Sequence, residues 1–150
     1  MHVAALLALL LAWSPAFADD LVQLDPFVLA THGLAGCPEF KPRLYSTDEL
    51  RTEAHVRAER GTRCALEGTC EPGGAYKRDP EINERVRAAI AGDRAFKGTA
   101  LWVTTSRKWV TLEGCVPNAG VRRSLIRFVE KLQGVERVFD RTRLSAPSSH

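Results

Sequence analysis

Between Thr99 and Val116 the chain reads TALWVTTSRKWVTLEGCV, two runs of alternating apolar and polar residues separated by Arg107 and Lys108. Side chains along a strand alternate between two faces, so a hairpin of this kind commits half its residues to each side. With Arg107-Lys108 as a two-residue turn, Ser106 pairs with Trp109, Thr105 with Val110 and Val103 with Leu112. Leu101, Val103, Val110, Leu112 and Gly114 then share one face, and Trp102, Trp109, Glu113 and Cys115 share the other. Any fold built on this hairpin needs an apolar layer for the first set. It also needs a cover or a partner for the two tryptophans of the second.

The flanking segments supply the layer. DPEINERVRAAIAGD begins with Asp79 as an expected N-cap and Pro80 at the first helical position. Ile82, Val86, Ala89 and Ile90 then fall on one helical face. A second helix is expected from about Asn118 to Gln133, with Val121, Leu125, Phe128, Val129 and Leu132 along one side and Gly134 as its stop signal. VERVFDRTRL reads as a closing strand. The order α-β-β-α-β, with one apolar stripe per helix, predicts an α+β two-layer sandwich of two helices on a three-stranded sheet.

The part of the chain before Asp79 has a different character. Residues 19–78 carry ten acidic and eight basic side chains, a balance of −2, whereas residues 79–144 carry eight and thirteen, a balance of +5. In STDELRTEAHVRAERG, Ser46 and Glu49 have capping-box spacing, and Gly61 is positioned to end the helix in a left-handed residue. Its apolar positions, Leu50, Ala54, Val56 and Ala58, make only a narrow stripe, so this helix is expected to pack lightly. CALEGTC, from Cys64 to Cys70, reads as a short stapled loop. An irregular, partly helical extension with so little apolar mass needs cross-links or a neighbour to stay ordered.

Residues 1–18, MHVAALLALLLAWSPAFA, have the apolar run and the closing Ala-Phe-Ala of a secretory signal peptide, with the mature chain starting near Asp19. The run is shorter than the roughly 20 residues a membrane-spanning helix needs. In an exported chain the even set Cys37, Cys64, Cys70 and Cys115 points to disulfides, with three pairings open. One of them, Cys37–Cys115 with Cys64–Cys70, would hold the extension across the tryptophan face. There is no C-x-x-C pair, and His55 beside Cys37, Cys64 and Cys70 does not have the spacing of a metal site, so neither metal nor cofactor is expected. The domain plan is a signal peptide over 1–18, a stapled extension over 19–78, the sandwich over 79–144 and a disordered polar tail over 145–150.

The sandwich segment resembles a BON domain, the module named for bacterial osmotic-shock and nodulation proteins. The resemblance lies in EINERVRAAIAGD, in Leu101 and Val103, and in Val110, Leu112, Gly114 and Val116 as the family's V-x-L-x-G-x-V strand. Gly134-Val135 and Val138 stand for its closing G-V-x-x-V, and the match spans about 79–144. The chain has one copy behind a cysteine-bearing extension, and its hairpin turn lacks the usual Asp/Gly residues. The resemblance implies a non-enzymatic module of the cell envelope, linked to phospholipid surfaces or envelope proteins and often to stress tolerance.

Within that frame Arg123, Arg127 and Lys131 repeat every four residues, flanked by Arg122, and form a basic stripe suited to anionic phospholipid headgroups. Arg137, Arg141 and Arg143 follow on the last strand. Trp102 and Trp109 mark a candidate surface for a protein partner in the envelope. Nucleic acid is not expected, since the chain is read as periplasmic and has neither a Gly-rich phosphate loop nor an aromatic stacking run. Asp140 or Glu113 with His55 or His32 has no recognised catalytic spacing, so no enzymatic activity is expected. Two readings result: peripheral docking on anionic phospholipid, and an envelope protein–protein adaptor using the tryptophan face or the extension.

Overall fold

The computed structural model describes residues 21–145 except Gly73. The expected signal peptide, and all of the expected tail except Ser145, lie outside the described residues. In chain order the elements are β1 (Val22–Gln23), β2 (Phe27–His32), β3 (Leu44–Tyr45), α1 (Thr47–Leu66), α2 (Asp79–Gly92), a 3₁₀ turn (Arg94–Phe96), β4 (Ala100–Ser106), β5 (Trp109–Val116), α3 (Ala119–Glu130) and β6 (Arg137–Leu144). Among the described residues they form a mixed α+β structure. A four-stranded sheet has the order β2-β4-β5-β6, and β1 and β3 make a separate two-stranded ribbon.

The hairpin pairs Ser106 with Trp109, Thr105 with Val110 and Val103 with Leu112, and β6 runs parallel to β5. Leu101, Val103, Val110, Leu112 and Val116 meet Ile82, Val86 and Ile90 of α2 and Leu125 and Val129 of α3, with Phe96 closing the end of the core. Each such aliphatic side chain contributes about 1.5–3 kcal/mol on burial, so this layer carries most of the stability.

The sheet corrects the three-stranded expectation. Strand β2 comes from the extension and pairs antiparallel with β4, with a bulge between Leu29 and Thr31. The alternation in FVLATH suits a strand, but its partner lies some seventy residues later. No nearby turn links the two, so local pattern does not reveal the pairing.

Three helix ends also differ from expectation. Helix α1 keeps the Ser46–Glu49 capping box but runs through Gly61 to Leu66, with no buried residue. Gly61 is the point where the helix passes the backbone of Gly74, at 3.5 Å from a would-be Cβ to the Gly74 Cα. The Cys64–Cys70 bond therefore staples the end of a helix to the turn after it. Helix α3 ends at Glu130, because Lys131 and Leu132 donate to Phe128 and Val129 in tighter turns. Gly134 follows with φ of 90°.

Asp79 is the third case. Arg78 occupies the N-cap position and makes no side-chain capping bond, while Asp79 lies inside the first turn. The Asp79 carboxylate instead accepts the backbone N–H groups of Arg107 and Lys108, each at 2.7 Å. Burial pushes its pKa above the ordinary carboxylate value, against the lowering effect of those two bonds. Arg107 and Lys108 have φ of 56° and 63°, the left-handed pair a tight hairpin requires and that Asn-Gly normally supplies. Here a buried carboxylate from α2 holds the turn instead.

Asp79→Ala is expected to cost about 1–3 kcal/mol in chemical denaturation, because two backbone donors lose their acceptor. Replacing Arg107-Lys108 by Asn-Gly in the same chain should restore part of that loss. An unchanged midpoint in the single variant would overturn this role. Gly134→Val is expected to lower the melting temperature by several degrees. Its Cβ would sit in a left-handed conformation 3.0 Å from Ile82 Cγ1.

Candidate functional site

Helix α3 starts cleanly because the Asn118 side chain accepts the Val121 N–H at 3.0 Å. With Leu125 and Val129 turned into the core, Arg123, Arg127 and, at the C-cap, Lys131 are exposed. Among the described residues no carboxylate lies within 4.0 Å of these three cations. The tilted contact of Phe96 with Phe128, 5.2 Å between ring centres, sets the exposed Arg94 and Lys97 beside the same helix.

Arg122 is different. Its Nε donates to Asp140 of β6 in a tight ion pair. Asp140 also accepts from the Thr142 backbone at 2.9 Å and from the Thr142 hydroxyl at 2.6 Å. Burial raises the Asp140 pKa, but the Thr142 bonds and Arg122 outweigh it and hold the carboxyl below its ordinary value. Arg122 is thus tied to the sheet, and the stripe is reduced to Arg123, Arg127 and Lys131.

The arginines of β6 do not join that stripe. In the parallel register Arg137, Arg141 and Arg143 lie opposite Trp109, Glu113 and Cys115, on the face away from the helices. The period of two puts a whole sheet between two sets of cations that are close in sequence.

The outer face is where the extension docks. Cys37 is bonded to Cys115 and Cys64 to Cys70, and the four cysteines are therefore not thiolate ligands. Phe40 packs on Trp102 at 5.3 Å between ring centres, and the Arg143 guanidinium sits 5.6 Å over Phe40. Trp109 takes its ring contacts from the sandwich itself. These are Phe139 at 5.7 Å, with Arg107 at 4.0 Å and Arg137 at 5.1 Å over the indole. The extension thus covers one tryptophan while the other is flanked by arginines.

Within the extension, Arg57 ties α1 to the segment leading into β2. It donates to Asp25 at 2.9 Å and to Glu53 at 3.0 Å and lies 4.3 Å over the Tyr76 ring. Burial works against its charge, but the two carboxylates more than compensate and its pKa is raised. Between Arg57, residues 41–43 and the sheet lies a cleft of about 480 Å³.

The other titratable candidates are separated. His55 pairs with Glu59 at 3.2 Å on the exposed side of α1, Glu113 faces Arg141 at 4.0 Å, and Asp140 is engaged as described. His32 ends β2, and no hydrogen bond among the described residues joins any two of these four.

The two helices on one face of the sheet and the parallel pairing of β6 with β5 make a small two-layer α+β sandwich. Residues 78–146 match the BON domain family, a family of non-catalytic binding domains. No curated protein matches the chain. Sequence reasoning missed the Asp79 bridge and the cleft. Asp-Pro at a helix start reads equally well as a cap, and the cleft depends on which sheet face the extension covers.

The two tryptophans are expected to respond differently to reduction. In chains with Trp13 replaced by Phe and either Trp102 or Trp109 retained, reduction should raise acrylamide quenching at Trp102 and leave Trp109 unchanged. Equal responses would overturn the assignment of Phe40 as the cover of Trp102.

Proposed function

We propose that this protein is an exported binding module of the cell envelope that docks on anionic phospholipid through the exposed face of α3. The observation that carries this reading is the trio Arg123, Arg127 and Lys131, exposed and without a carboxylate within 4.0 Å among the described residues. The family's association with phospholipid surfaces and stress tolerance supports it. The layout that accompanies it is a signal peptide over 1–18, the extension over 19–78, the BON domain over 79–144 and a tail over 145–150. Two disulfides are consistent with an oxidising compartment such as the periplasm. No helix among the described residues is long and apolar enough to cross a membrane.

The energetics give the kind of docking. At about 1 kcal/mol for each cation near an anionic surface, three cations supply about 3 kcal/mol, roughly a hundredfold enrichment at the membrane. This is reversible, peripheral attachment, and it weakens as salt screens the surface. A second reading, an envelope protein adaptor, is favoured by the Trp109–Phe139 pair, because Phe139 is 38% exposed on the outer face.

Vesicle sedimentation separates the two. Binding is expected to vesicles containing phosphatidylglycerol and not to neutral ones, and to fall with salt. Arg123→Glu with Arg127→Glu should lower it at least about a hundredfold, whereas Arg122→Ala, which removes a cation tied to Asp140, should have a smaller effect. Equal binding to neutral vesicles, or an unaltered double variant, would overturn the reading. Salt-resistant capture of an envelope protein, lost on Trp109→Ala, would favour the adaptor.

A further inference from the structure

We propose that the cleft between the extension and the outer face of the sheet is a binding site for a phosphoryl group. Its volume of about 480 Å³ lies in the range of small-molecule sites. The floor is a row of hydroxyls. Thr104 and Thr111 stand directly opposite each other in the β4–β5 register, and Ser106 follows two residues along the same face. All three line the cleft and are half-buried. None of the three hydroxyls makes a hydrogen bond to another described residue, whereas Thr31, Thr99, Thr105 and Thr142 on the helix side all do.

The charge around that floor is unbalanced. Five cationic and three acidic side chains line the cleft, and the acidic ones are already engaged. Asp25 and Glu53 hold Arg57 at 2.9 and 3.0 Å, and Glu113 faces Arg141 at 4.0 Å. Lys41 and Arg60 at the mouth have no carboxylate within 4.0 Å among the described residues, and Arg60 donates only to the Tyr76 hydroxyl at 3.2 Å. Hydroxyls free of protein partners below and cations without a carboxylate in reach above suit a ligand with several acceptor oxygens and at least one negative charge. A phosphoryl group has both, and its charge-assisted bonds to ammonium and guanidinium are the strong kind. A neutral saccharide would satisfy the hydroxyls and leave the charge unmatched, and a cation would be repelled.

The site is also composite. Its hydroxyls come from the BON domain and its mouth cations from the extension, and the two are joined by Cys37–Cys115 and by the pairing of β2 with β4. It is therefore formed before any ligand arrives, which lowers the ordering cost of binding. The site lies on the sheet face opposite α3, so it is independent of the docking proposed above.

Amide NMR titration of the oxidised protein at constant ionic strength tests the proposal, with inorganic phosphate in one arm and short-chain phosphatidylglycerol below its micellar concentration in the other. Saturable shifts at Thr104, Ser106 and Thr111 are expected. Lys41→Glu with Arg60→Glu should weaken them at least tenfold, and the isosteric Thr111→Val should weaken them with the melting temperature retained. Saturation by phosphate as tight as by the lipid assigns the site to free phosphate compounds, and at least tenfold tighter lipid binding assigns it to a headgroup. Arg123→Glu with Arg127→Glu should leave this titration unchanged, so that failure of the α3 reading and failure of the cleft are read separately. Absence of saturable shifts at the three amides with both probes, or affinity unchanged in the Lys41/Arg60 variant, would overturn the proposal.

Discussion

The Asp79 carboxylate, accepting the N–H groups of Arg107 and Lys108, couples the start of α2 to the tip of the β4–β5 hairpin, and the rest of the molecule is arranged around that coupling. A tight turn with two left-handed residues that are not glycine or asparagine is unfavourable by itself. Anchored by a buried acceptor, it has one register. That register sends Leu101, Val103, Val110 and Leu112 to the helices and Trp102, Trp109 and Cys115 to the other side. A slip of one residue would exchange the two sets and destroy the core. Asn83, one residue beyond Ile82 on α2, accepts from the Thr105 hydroxyl at 2.8 Å, so the same helix holds the hairpin at a second polar point.

With the register fixed, the outer face becomes a surface that needs a cover, and the extension supplies one. Its own packing is thin: α1 has no buried residue, and the ribbon of β1 and β3 contributes mainly Tyr45, which is 4% exposed. What holds it to the sheet is strand pairing through β2 and the Cys37–Cys115 bond, while the half-buried Arg57, between Asp25 and Glu53, ties α1 to the segment leading into β2. A cross-link of this span restricts the unfolded chain by about 4 kcal/mol in the chain-entropy account. That is enough to retain an element whose apolar burial would not retain it. The cover is incomplete, and the cleft is the space left between a lightly packed helix and a face carrying hydroxyls.

How much of this can be read from the sequence follows the distance over which each feature is decided. The hairpin register, both helix stripes and the α1 capping box depend on residues a few positions apart, and TALWVTTS, RK and STDE carry that information locally. The fourth strand, the Asp79 bridge and the loss of Arg122 from the basic stripe depend on partners across the fold. Asp-Pro at a helix start satisfies the rule for a cap whether or not a hairpin tip competes for the carboxylate. The helix ends at Gly61 and Gly134 are intermediate cases. Gly61 serves a close backbone approach to Gly74, and Gly134 serves a left-handed turn four residues beyond the end of α3. Glycine alone does not distinguish these uses.

The separation of charge is the last consequence of strand alternation. Along the sequence, Arg122 to Arg143 is a single basic region, but the sheet divides it into a helix face, an internal pair and an outer face. On the helix face Arg123, Arg127 and Lys131 have water and no carboxylate within ion-pair distance among the described residues, so their field extends into solvent and suits a broad anionic surface. On the outer face Arg137 and Arg143 lie against aromatic rings and Arg141 against Glu113, so their charge is spent locally. The extension then brings Lys41 and Arg60 to that face with no carboxylate within ion-pair distance among the described residues. The same small sheet thus presents a diffuse field on one side and a confined one on the other, and the two proposed ligands, a planar lipid surface and a single phosphoryl group, differ in shape in the same way.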